Sequence, residues 1–193
     1  MKTLGAVVVL GAFATHPAAA QTLHRELGPH EHGRGTLNIA VEGNRVSMEL
    51  EVPGMDIVGF EHEAKTGNDK TTLETGKQKL STPLSLFKLP LSAGCRVTEA
   101  KVEVETGEHD HAAKEANTKD TSKSSEKEQH HSEFHNQYSL ECTSPASITT
   151  IEFGYFRAFP NAEKLDVNLI TPKGQNKYQV TRANPTLSLA GMI

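Results

Sequence analysis

Residues 35–52 read GTLNIAVEGNRVSMELEV, and the fold class turns on how this stretch is read. Leu37, Ile39 and Val41 alternate with polar or small residues, and so do Val46, Met48, Leu50 and Val52. Alternation with a period of two marks strands that bury one face. Between the two runs, Gly43-Asn44 makes a two-residue hairpin loop, with glycine where a positive φ is needed. That loop sets Val41 opposite Val46, Ile39 opposite Met48 and Leu37 opposite Leu50, while Asn38 and Thr36 meet Glu49 and Glu51 on the other face. Turn and pattern agree on one register.

On the C-terminal side, Pro53-Gly54 closes the second strand and Ile57 to Phe60 form a short apolar patch. Asn68 is placed to cap a modest helix over Asp69 to Leu80, which Gly76 weakens. Leu84 to Leu91 reads as a buried, proline-punctuated connector. Cys95 to Glu105 is a strand whose parity slips, and a β-bulge near Thr98-Glu99 reconciles its halves. Phe134, Tyr138, Leu140 and Cys142 alternate as its antiparallel partner. Ile151, Phe153 and Tyr155 alternate as a strand, Phe156 to Phe159 with Pro160 read as a helical turn, and Leu165 to Leu169 form a strand returning through Pro172-Lys173-Gly174-Gln175 to Tyr178 and Val180. The residues after Thr181 read as a loosely held tail. The expectation is a mainly β (α+β) fold: one antiparallel sheet domain over residues 21–193 with one or two short helices.

Residues 106–132 differ in kind. They contain no Ile, Val, Leu, Met or aromatic residue, and four lysines are interleaved with six acids. Such a segment cannot bury enough apolar surface to fold alone, so it is read as a long disordered insertion within the domain. Residues 1–20 combine Lys2, an apolar run from Leu4 to Ala14 and an A-x-A pattern at Ala18-Ala19-Ala20. They read as a secretory signal peptide rather than a membrane anchor, which places the mature chain in the periplasm without membrane insertion. Export also favours a disulfide between the two cysteines, Cys95 and Cys142. The net charge of −4 carries no basic excess, so nucleic acid is not an expected partner.

Histidine is the compositional anomaly: nine of the ten lie beyond residue 20, against three tyrosines and no tryptophan. Neutral imidazole suits borderline-soft Zn²⁺, and H-x-H spacing offers two rings with little chain to close. The sequence does this at His30/His32 and His109/His111, and adds the adjacent pair His130/His131. With His62 and His135 these are the candidate metal ligands. There is no H-E-x-x-H, no G-x-S-x-G and no glycine-rich phosphate loop. Glu61 beside His62 comes nearest to a catalytic pair, and the chain is read as no enzyme.

The order His30-Glu31-His32-Gly33, the hairpin, then Pro53-Gly54-Met55-Asp56-Ile57-Val58-Gly59-Phe60-Glu61-His62 resembles the ZrgA family of zinc-regulated periplasmic proteins. So do Glu133-Phe134-His135 with Tyr138 and Cys142, and Phe159-Pro160 followed by Leu169-Ile170-Thr171-Pro172-Lys173-Gly174-Gln175. The resemblance implies a periplasmic zinc-binding protein working beside an inner-membrane zinc importer, with His30, His32, His62 and His135 as the histidines carried over. The insertion departs from the family, being mostly Lys, Glu, Ser and Thr rather than dense His-Asp tracts.

The expected function is therefore capture or buffering of zinc, with other divalent transition metals as competitors, and delivery to an uptake system. His30, His32, His62 and His135 are expected to converge on one ordered site at the sheet edge. An envelope interaction module with pH-sensing histidines is the alternative, and a zinc-dependent hydrolase is the third reading.

Overall fold

A computed structural model of the chain describes residues 31–106 and 131–193. The expectations for the leader at 1–20 and for His30, His109, His111 and His130 lie outside the described residues.

The described residues form nine strands: β1 (Arg34–Glu42), β2 (Arg45–Pro53), β3 (Phe87–Lys88), β4 (Cys95–Thr106), β5 (Ser132–Cys142), β6 (Thr150–Phe153), β7 (Lys164–Thr171), β8 (Gly174–Thr181) and β9 (Thr186–Ser188). Helices α1 (Gly54–Val58), α2 (Gly67–Leu80), α3 (Pro83–Leu86) and α4 (Tyr155–Ala158) lie between them. Among the described residues no helix is long and apolar enough to cross a membrane.

β1 and β2 pair in the expected register, Val41 on Val46, Ile39 on Met48 and Leu37 on Leu50. The apolar positions are buried and Gly43 has a φ of 56°. Around this hairpin a six-stranded sheet grows in the order β4-β5-β2-β1-β7-β8. The anticipated bulge lies between Val97 and Glu99, and returns Ala100, Val102 and Val104 to the face of Tyr138, Asn136 and Phe134.

The sheet is mixed rather than wholly antiparallel, because β1 and β7 run parallel. The pairing is tied at the starts of the two strands, where the Gly33 carbonyl accepts hydrogen bonds from the backbone N–H of Glu163 (2.8 Å) and Lys164 (2.9 Å). Both strands are thereby launched from the same end.

A small second sheet, β3-β6-β9, joins the short helices in closing one apolar core over Leu37, Leu50, Phe87, Phe134, Tyr155 and Leu165. The chain after Thr181 is not a loosely held tail. Its β9 pairs with β6, and Leu187 and Leu189 are buried. The connector before β4 is buried at Leu86 and Phe87 as expected and departs from expectation only at its end, where Leu91 is 98% exposed.

Helix α2 starts earlier than expected and is capped by Thr66 rather than Asn68. The Thr66 hydroxyl accepts from Asp69 N–H, and the Asp69 carboxylate accepts from Thr66 N–H, so two otherwise unpaired donors are satisfied together. Gly76, a weakness for the helix in isolation, is what lets α2 lie on α1: a Cβ there would stand 3.0 Å from Ile57 and 3.1 Å from Val58.

The insertion bounds of 106–132 are too wide. β4 runs to Thr106, which pairs with Ser132 at the start of β5, and His131 is ordered beside them. Cys95 and Cys142 face each other at the far end of this β4–β5 pair and form the disulfide.

Candidate metal centre

Three segments meet at the end of the sheet where β1 begins, β2 ends and β5 begins. The first is Glu31-His32-Gly33. Gly33 adopts a φ of 82°, a left-handed turn that suits glycine. Its N–H donates to the buried Asp56 carboxylate at 2.7 Å. Glu31 is tied to Lys164 and Arg34, and the hydrogen bond from Lys164, then that from Arg34, holds its carboxyl below the usual carboxylate range.

The second segment is Phe60-Glu61-His62, which leaves α1 through Gly59 at a φ of 80°. The third is His131, directly before β5. Glu61 is the centre of the meeting point. One of its oxygens lies 3.1 Å from His32 Nε2 and the other 3.2 Å from His131 Nδ1. The Glu61 side chain is only 9% exposed, whereas the His32 ring is half exposed, so the cluster opens to solvent on one side.

These separations bear on metal chemistry. Bonds of about 2.0–2.2 Å to a tetrahedral zinc place neighbouring donor atoms about 3.3 Å apart. The two imidazoles therefore already stand near ligand spacing from the carboxylate between them. Among the described residues, however, no three of His, Cys, Asp and Glu surround one common point. The sequence continues directly from this centre to His30 on one side and His130 on the other.

Residues 29–189 match the ZrgA family of zinc uptake proteins. The chain belongs to that family. A comparison with curated proteins found no match. Membership in the ZrgA family ties the chain to zinc uptake.

Of the histidines anticipated to converge, the structure joins His32 to Glu61 and brings in His131, which had been assigned to the insertion. His62 lies apart: its ring stacks on Phe60 with centroids 4.7 Å apart, and its Nδ1 is 3.1 Å from the Glu63 carbonyl. His135 occupies a different cluster on the open face of the sheet. Its Nδ1 is 3.7 Å from Glu51, and its Nε2 is 3.5 Å from Glu105 and 3.0 Å from Glu133. The last distance is in ion-pair range without hydrogen-bond alignment.

Glu61 and Asp56 are the residues that reading for histidines passes over. Both stand in the Pro53–His62 stretch, and the signal available was a carboxylate directly preceding a candidate ligand in a family-like motif.

Proposed function

We propose that this ZrgA-family chain captures Zn²⁺ in the periplasm at Glu61, between His32 and His131, and buffers it or hands it to an inner-membrane zinc importer. The observation that carries the reading is the Glu61 carboxylate with one imidazole nitrogen on each oxygen, at 3.1 and 3.2 Å. Nitrogen and carboxylate donors together suit zinc. One half-exposed ring leaves a way in for the ion. The leader-like residues 1–20 and the Cys95–Cys142 disulfide support an oxidising compartment outside the cytoplasm.

In this reading His30 and His130 complete the donor set by sequence adjacency, and His109 and His111 add weaker sites. The segment that carries them has no Ile, Val, Leu, Met or aromatic residue, and ligands without such support bind more weakly than those of a prepared site. Calorimetric titration of zinc into the full chain tests the proposal. His32→Ala, His131→Ala and Glu61→Gln should each weaken the tightest event by more than the roughly 10–100-fold typical of losing an outer partner. Three variants with wild-type affinity would refute it.

A further inference from the structure

The three segments that form the centre share a neighbour. Helix α1 is five residues long, and two of its residues touch the backbone beside each proposed ligand. Gly54 is packed so tightly that an added Cβ would stand 2.0 Å from Ser132 Oγ, 3.2 Å from the Ser132 carbonyl and 3.0 Å from the Phe60 carbonyl. Ser132 follows His131 in the chain, and Phe60 precedes Glu61. Gly54 is not among the positive-φ glycines, so what it supplies is room rather than an unusual backbone.

Asp56, two residues further on, is 1% exposed and accepts the N–H of Gly33, the residue after His32. Burying a carboxylate is costly unless it is hydrogen-bonded, so an aspartate here marks a contact whose loss would be felt.

We infer that α1 is the positioning element of the zinc centre: Gly54 fixes the approach of Glu61 to His131, and Asp56 fixes His32 through Gly33. The inference rests on the reading that Glu61 holds the metal. Neither residue needs to touch the ion, because ligands are held in place by the groups behind them, and losing such a group weakens metal affinity by about 10–100-fold.

The test is carried out on the full chain with zinc chloride by calorimetry, and with cobalt chloride by visible spectroscopy, whose bands report ligand geometry. Asp56→Ala should weaken zinc by about 10–100-fold and alter the cobalt spectrum. Asp56→Asn, which keeps an oxygen for the Gly33 N–H, should lie closer to wild type. Gly54→Ala should weaken zinc as well, and Ser132→Ala in the same chain should restore part of the loss by removing the nearest clash. Circular dichroism establishes that each variant is folded; if Asp56→Ala is not, the Asn and Gly54 variants decide. Folded Asp56 and Gly54 variants with wild-type affinity and spectrum, beside a Glu61→Gln chain that has lost its tight zinc, overturn the positioning role alone. Wild-type affinity in Glu61→Gln overturns the reading of the centre itself.

Discussion

Adjacent residues in the chain take opposite fates at the proposed centre. Glu61 turns inward between two imidazoles while His62 turns outward onto the Phe60 ring. Because Gly59 ends α1 in a left-handed turn, no strand or helix period runs through these residues, and sequence patterning has nothing to phase. Histidine spacing alone therefore does not mark the carboxylate. His135, by contrast, was legible as pointing away from the core from its opposite parity to Phe134, and β5 keeps that parity. What parity could not show is that Glu51, Glu105 and Glu133 surround it. The double variant His62→Ala, His135→Ala separates the two accounts at this scale. Calorimetry should show tight zinc retained, since neither ring reaches Glu61; loss of tight binding would return the chemistry to those histidines. In either case affinity should fall on acidification, because imidazole binds metal only when neutral.

At the scale of elements, what was legible was local. The β1–β2 hairpin follows from its turn and its alternation, and the β4 bulge from a slip in parity that pairing with β5 had to absorb. The parallel union of β1 with β7 joins residues about 130 positions apart through backbone hydrogen bonds at Gly33, and no local pattern announces it. β9 is three residues long, too short to show a period. His131 was read into the insertion because its neighbours are polar, yet Thr106 pairing with Ser132 brings order up to it. The β4–β5 pair is clamped at its other end by Cys95–Cys142, with a sequence separation of 47. Closing a loop of that size should contribute roughly 3–4 kcal/mol by restricting the unfolded chain. A Cys95→Ser, Cys142→Ser chain should show that loss in urea unfolding, and an unchanged midpoint would count against the clamp.

For the whole molecule, the buried tyrosines of the core carry a pH signature of their own. Burial pushes the Tyr138 phenol well up, and burial followed by the Asp56 charge does the same for Tyr155. Among the described residues neither hydroxyl has a hydrogen-bond partner. Folded-state values above the unfolded value of about 10 mean that the unfolded chain releases these protons first. The stability they contribute is thus fully present below about pH 10 and is lost as pH rises from there toward the folded-state values. Urea unfolding should show an alkaline decline that Tyr155→Phe makes shallower; an identical decline in the variant would contradict the assignment. The proposed zinc capture is tested most directly in a chain whose residues 107–129 are replaced by a short glycine linker, so that His130 is kept. Calorimetry of that chain, with and without Glu61→Gln, should show one tight zinc in the parent and its loss in the variant. A parent without tight zinc, or a variant that binds zinc as its parent does, would contradict the account.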